Sequence, residues 1–284
     1  MTATERRARV RAVLAGDVCV RPASVFDPVS GRLAEAAGLG IGMLGGSVAA
    51  AVVLGAPDVG VITLTELADQ VRRISRACDV ALLVDADNGY GNALNAMRTV
   101  RELEDAGAAG FTLEDTALPP RYGAKGEELI STTEMVDKLR AGVAARRDPS
   151  TVILGRTHAL NHEGLEGTVA RVAAYATTGV DGIFLMGIRT EEQLAAMRAV
   201  TDLPFMLGTT PAVLTNELLA TYGVRLVLRG HSSFGAYVGA VQAVMARQAA
   251  GEADDPAAQP PAEVLGTATA TGEHAAWRKA FGGG

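Results

Sequence analysis

Eight times along this chain a short apolar run gives way to a stretch with helical spacing, and nearly every run stops on a polar residue or a glycine turn. Strand–helix pairs repeated eight times over roughly 250 residues predict a (β/α)8 barrel of the TIM type, whose strands present their carboxyl ends to one mouth. A doubly wound open sheet would collect its polar groups mainly at one switch point. Here they recur from strand to strand.

The pattern is sharpest over 82–92 (LLVDADNGYGN), a buried strand opening into a loop on Asp85, Asp87 and two glycines. Burying one ionised carboxylate is costly, and a second two residues away adds like-charge repulsion, so the pair needs a raised pKa or a cation. A hard divalent ion is the simplest remedy; a solvated Asp-rich turn is the plain alternative. The next run, 110–116, ends on Glu114 and Asp115. Then 151–158 ends on Arg156 and His158, 41–47 on Gly45, Gly46 and Ser47, and 225–231 on His231. Polar groups placed at successive strand ends describe the catalytic face of a barrel.

Strands are expected over 18–26, 41–46, 152–155, 182–186, 204–207 and 225–228, besides the two acid-tipped runs. Helices are expected over 5–15, 63–77, 93–106, 133–146, 165–177, 191–200, 212–222 and 235–249, with Asp27-Pro28 capping another and Ser47 beginning one. Gly45-Gly46-Ser47 reads either as a cradle for a carboxylate or phosphate, or as a tight turn with Ser47 as N-cap, the simpler local reading. Asp58 lies in a polar loop. The stretch 118–128, rich in Pro and Gly after an acid-tipped strand, is either a lid that shuts water out or a surface crossover. From 251 to 261 Asp, Pro and Ala dominate as in a linker. The amphipathic tail 272–281 carries the only tryptophan, Trp277, an aromatic anchor for its own or a partner subunit's surface. The expected division is a barrel over 1–250 and a linker with C-terminal segment over 251–284.

With 48% hydrophobic and 20% charged residues the composition is that of a globular protein, and a net charge of −6 with dispersed Lys and Arg argues against nucleic acid. A small-molecule partner is expected. Cys19 and Cys78 read as reduced core thiols. The basic start lacks the apolar segment of a secretory signal, and no apolar run is long enough to span a bilayer, so the expected location is the cytoplasm, with no membrane partner.

Taken together, DADNGYGN, the upstream SVFDPVSGRLAEAAG and GMLGGS, the downstream TLEDT, and the LGRT and RGH tips resemble the isocitrate lyase/phosphoenolpyruvate mutase superfamily, and within it the oxaloacetate decarboxylase branch, from about Ser24 to about Trp277. The resemblance implies a Mg2+ (or Mn2+) site and a 2-oxo acid substrate. Asp85 matches the direct metal ligand, and Asp87, Glu114 and Asp58 match acids that hold the metal's waters. Ser47, the Gly46 amide, Arg156 and His231 match substrate-binding positions, and Asp85, Arg156 and His231 are the implied catalytic set. Arg156 also reads as a structural ion-pair partner of Glu114 or Asp115, and His231 as an acid, a hydrogen-bond donor or a structural group. The superfamily tends to exchange a C-terminal helix within a dimer of dimers, which implies a homotetramer.

Several residues depart from the pattern. The 118–128 loop has neither the catalytic Cys of isocitrate and methylisocitrate lyases nor the Lys-Thr-Asn-Ser-Leu loop of phosphoenolpyruvate mutase. Met186 stands where many members have Glu, His158 where decarboxylases often have Asn, and 208–211 replaces a longer, Tyr-containing segment. The expected reaction is Mg2+-dependent decarboxylation of oxaloacetate or a close analogue to pyruvate and CO2 through a metal-stabilised enolate. The alternatives are C–C or C–P bond cleavage in another 2-oxo or 2-hydroxy acid, of 2-methylisocitrate or phosphonopyruvate type, and a metabolite-binding barrel without catalysis.

Overall fold

The structure, a computed structural model, describes residues 1–282. The chain opens with α1 (Ala3–Ala15), β1 (Ala23–Ser24), α2 (Pro28–Ala36), β2 (Ile41–Leu44), α3 (Gly46–Leu54), α4 (Leu64–Ala77), β3 (Ala81–Asp85), α5 (Ala93–Asp105) and β4 (Gly110–Glu114). It continues with α6 (Thr132–Ala145), β5 (Val152–Thr157), α7 (Ala159–His162), α8 (Gly164–Ala176), β6 (Gly182–Leu185), α9 (Glu191–Arg198), β7 (Phe205–Leu207), α10 (Asn216–Thr221), β8 (Val224–Val227) and α11 (Ser232–Ala249). The eight strands are parallel and pair in chain order. Val20 pairs in parallel with Leu226, its N–H donating to Arg225 O at 2.9 Å, which joins the last strand to the segment before the first. The architecture is the (β/α)8 barrel the alternation predicts.

Side-chain alternation splits the core in two. Leu82, Val84, Phe111, Leu113 and Ile153 face the helices, while Met43, Leu83, Leu154, Phe184, Met206 and Leu226 fill the barrel. The amino-terminal mouth is plugged by α1. Val10, fully buried, enters the interior cluster, and the helix is tied down by arginines. Arg7 donates to Ala108 O and Glu104 O (3.1 and 2.7 Å), Arg9 to Gly40 O and Asp79 O (3.1 and 3.0 Å), and Arg11 to Ser150 O and Thr151 O (2.8 and 3.0 Å). These guanidiniums give backbone carbonyls beside the strand starts charged donors. The other mouth is left open for chemistry.

Some boundaries differ from expectation. The first strand is two residues long rather than spanning 18–26, because Pro22 has no N–H to donate and breaks the ladder. The N-cap of α3 is Gly45, and Ser47 lies inside the helix instead of capping it. Thr215 caps α10, delaying that helix to Asn216 from the expected 212. The linker holds a single 3-10 turn, Pro256–Ala258, and is followed by α12 (Ala262–Thr269) and α13 (Thr271–Phe281), where one tail helix was expected. α12 lies against α2, with Ala268 buried and its carbonyl accepting from Arg32 at 3.4 Å. Trp277 on α13 is 50% exposed, edge-on to His274. None of the 18 residues of α11 is buried. Among the described residues no helix is long and apolar enough to cross a membrane.

Candidate active site

Strand parity builds the site. Leu83 and Leu154 point into the barrel, so Asp85 and Arg156, two residues on, point inward at the open mouth, and Glu114 does so from the strand between them. The guanidinium of Arg156 ties the acids together, with Nη1 2.6 Å from Asp85 Oδ2 and Nε 3.0 Å from Glu114 Oε2, and it lies over the Phe184 ring at 5.0 Å. Thr112 Oγ1 donates to the other Asp85 oxygen at 3.2 Å, and Thr116 Oγ1 donates to Glu114. Asp115, one residue past Glu114, has the opposite parity. It is fully buried behind the barrel wall, where it accepts from Thr157 Oγ1 (2.6 Å), Tyr175 OH (2.9 Å) and Arg171 Nη1 (3.3 Å). Of the two ion-pair partners considered for Arg156, Glu114 is present, Asp115 is turned away, and Asp85 takes its place.

After β3 the chain turns sharply, with Asp87 and Tyr90 in the left-handed region at φ +46° and +60°. That conformation is costly for non-glycine residues and is held by contacts from several directions. Lys138 Nζ donates to Asn88 O (3.0 Å), Asn88 Nδ2 to Leu118 O (2.7 Å), Thr99 Oγ1 to Gly89 O (3.0 Å), and Glu114 N to Asp87 O (2.9 Å). The turn sets Asp87 against the start of α3. A Cβ on Gly46 would lie 2.9 Å from Asp87 Oδ1, so a larger residue there would push the Asp87 carboxyl aside. The first turn of α3 has no side-chain cap, leaving N–H groups beside Ser47 available to an anion.

Next to this turn stands His231, directly before α11. Ser24 Oγ and His231 Nδ1 are 2.8 Å apart, and the ring lies where a Cβ on Gly45 would be, 2.8 Å from Nε2. Burial pushes the imidazole pKa down, against the pull of Asp85 and Asp58. Asp58 is on an exposed loop, yet partial burial together with Asp85 and Glu114 raises its carboxyl pKa, which places it within electrostatic reach. The structure therefore gathers Asp85, Asp87, Glu114, Arg156, Gly46, Ser47 and His231 at one mouth, with Asp58 at the edge. A cavity of about 660 Å3 opens beside this group, between α2 and the start of α11, lined by Ser24, Phe26, Leu33, Arg229, Ser233 and Tyr237. The buried acids, not that apolar recess, carry the chemistry.

Charge at the mouth is unbalanced. Burial, with Asp85, Glu114 and Asp58 nearby, pushes Asp87 up to about 8. Burial would also raise Glu114, but Arg156, His158 and Thr116 outweigh it and hold that carboxyl at about 2. One guanidinium thus serves a group of acids that retains a proton to limit repulsion, which is the electrostatic signature of a site suited to a further cation. Among the described residues no three carboxylate, imidazole or thiol groups are close enough to grip an ion directly. A cation held here would need water between it and most of the acids, as suits Mg2+.

Several contributing residues were not singled out from sequence. Thr112 was legible by parity, two residues before Glu114. Ser24, Lys138 and Glu127, which meets His158 and His162, gave no local signal, since each reaches the site from a separate element.

Comparison with known proteins agrees with this geometry. The family model for phosphoenolpyruvate phosphomutase matches residues 11–249. An oxaloacetate decarboxylase of Rhodopseudomonas palustris (strain BisB18) is 48% identical over 270 residues, covering 95% of this chain and 91% of its own. An oxaloacetate acetylhydrolase bound to 3,3-difluorooxalacetate superposes with TM-score 0.86 at 26% identity, covering 98% and 97% of the two chains. A phosphonopyruvate hydrolase complexed with oxalate and Mg2+ gives 0.84 at 27% identity, covering 99% of each. The chain belongs to the phosphoenolpyruvate phosphomutase family, in the isocitrate lyase/phosphoenolpyruvate mutase superfamily.

Proposed function

We propose that this carbon–carbon lyase decarboxylates oxaloacetate, or a close 2-oxo acid analogue, to pyruvate and CO2 with the help of a divalent metal. The observation that carries the reading is the pairing of Asp85 and Glu114 through one buried arginine, beside a third acid that holds its proton. Relatives about half identical bear the decarboxylase name, and a structural neighbour holds oxalate with Mg2+. Asp85 would hold Mg2+ or Mn2+ directly, with Asp87, Glu114 and Asp58 through water. The ion would supply Lewis acidity toward the charge that builds on the keto oxygen as the distal carboxylate leaves.

The chain's own groups do the rest. Arg156 and the uncapped N–H groups of α3, with Ser47, bind and orient the retained carboxylate. With Ser24 Oγ donating to Nδ1, the neutral His231 keeps its proton at Nε2 and offers it as a hydrogen bond beside Gly45. Met186, intermediate in burial and packed against the interior cluster, offers no carboxylate for a second role.

Pyruvate formation and CO2 release from oxaloacetate with Mg2+, measured against Mg2+ alone, test the reading, and Asp85→Ala should return the rate to background. No release above background would refute decarboxylation; unchanged turnover in the variant would remove Asp85 from its role. A second reading, C–C or C–P cleavage of another 2-oxo or 2-hydroxy acid, draws on structural neighbours of other activities that superpose equally well. An NMR product screen separates the two, since hydrolysis of oxaloacetate yields oxalate and acetate and a phosphonate substrate yields phosphate.

The unburied α11, with Tyr237, Val238 and Met245 exposed, and the half-exposed Trp277 support a homotetramer in which C-terminal helices pack between subunits. Light scattering on the eluting protein should give four times 29.2 kDa, and a monomer would refute this. The free thiols Cys19 and Cys78, both buried, suit the reducing cytoplasm.

A further inference from the structure

Between β4 and α6 the chain leaves the barrel as a flap. Thr116 pairs antiparallel with Leu129, Ala117 N donates to Glu128 O at 2.8 Å, and the tip around Tyr122 is exposed. Asn88 holds one leg of this flap through Leu118 O at 2.7 Å. The other leg is tied to the barrel by Glu127: Oε1 lies 3.1 Å from His158 Nδ1 and 2.8 Å from His162 Nε2. The two imidazoles come from the end of β5 and from α7, so a single carboxylate oxygen gathers the flap, the strand tip and the short helix.

The second nitrogen of His158 faces the site. Its Nε2 accepts from Arg156 Nε at 3.1 Å and lies 3.5 Å from Glu114 Oε2. When Nδ1 carries the proton and donates to Glu127, Nε2 is left to accept from the arginine, so Glu127 favours that tautomer over the one that donates to Glu114. His158 N also donates to the buried Asp115 at 3.1 Å, which fixes the backbone from which the ring swings. The remaining freedom of the ring is rotation about its side-chain bonds, and Glu127 removes it.

Resting on the reading of Arg156 as the residue that orients the substrate carboxylate, we propose that Glu127 is a positioning residue: it holds the flap against His158 and His162 and, through His158, steadies the guanidinium of Arg156. Flap closure and arginine alignment are then one event, and Glu127 couples them. His158, in the place where decarboxylases of the family often have Asn, supplies a ring nitrogen on each side for this coupling.

Arg121 and Lys125 at the flap tip allow a test that does not depend on turnover. Limited trypsinolysis, with cleavage sites identified by mass spectrometry, should cut Glu127→Ala after these residues at least fivefold faster than wild type. Glu127→Gln, which keeps one acceptor, should fall between them. The 15N resonances of His158 should shift in Glu127→Ala, and the affinity for oxalate with Mg2+ should drop about tenfold. Wild-type cleavage rates in Glu127→Ala would overturn the proposal, as would faster cleavage with unaltered His158 resonances or unaltered oxalate affinity. If wild type itself fails to bind oxalate, the reading of the site as a 2-oxo acid enzyme is what fails, and the cleavage and resonance measurements decide the role of Glu127 alone.

Discussion

Replacing Arg156 by Met leaves a chain of similar length over Phe184 but removes the one cation shared by Asp85 and Glu114. The three side chains are 12, 14 and 6% exposed, with contacts of 2.6 and 3.0 Å. At an effective dielectric constant near 20, unit charges 4 Å apart attract by about 4 kcal/mol. Desolvation offsets much of that attraction in the intact protein, but deleting one partner leaves the acids buried and unpaired, at a cost of about 3–5 kcal/mol. A chain of this size unfolds with an entropy of roughly 0.6 kcal/mol/K, so Arg156→Met in EDTA at neutral pH should melt about 5–8 °C lower than wild type. Saturating Mg2+ should recover part of the deficit, because a bound divalent ion restores positive charge and stabilises only the folded state. Lower pH should recover part as well, since the abandoned carboxylates can take up protons. Differential scanning calorimetry with and without Mg2+, at neutral and at lower pH, measures all three. A variant that melts within about 1 °C of wild type in EDTA would show that the acids are hydrated, and the electrostatic account of the site would fail.

Three further outcomes follow from the same geometry. Because Asp87 is pushed up to about 8 from an ordinary 3.8, the metal-free folded protein keeps a proton that the unfolded chain releases. Its contribution is full below pH 4 and is lost as the pH rises through about 8, so Asp87→Asn in EDTA should lose less melting temperature than wild type between pH 5 and 8.5; coincident slopes would refute the assignment. Glu114, held at about 2, has the opposite sign, its stabilisation being present above about 4.5 and lost as the pH falls toward 2. Gly45→Ala would put a methyl 2.7 Å from His231 Cε1 and turn the ring off Ser24. Decarboxylation should fall about tenfold or more with helix content unchanged by circular dichroism, and full activity would show that the position of His231 is immaterial.

The barrel was legible because its signals are local. Alternation of apolar runs and helical spacing needs only neighbouring residues, and Asp85, Glu114 and Arg156 mark strand ends by residue type alone. Period-two alternation even says which acid turns inward, since Glu114 and Asp115 differ by one position and must face opposite sides of the wall. Less legible were features in which local preference is overridden. The first strand shrank around Pro22, and the cap of α3 fell on Gly45 rather than Ser47.

Sequence by itself determined the kind of fold, the residue types at the open mouth and the family they resemble. Only the tertiary structure decided who meets whom: that Arg156 spans to Asp85, 71 positions earlier, that Ser24 orients His231 from 207 positions away, and that Glu127 joins two histidines to the flap. The physical reason is that turn chemistry and periodicity act within a few residues, whereas the encounter of distant side chains is set by strand register and by closure of the sheet between Val20 and Leu226.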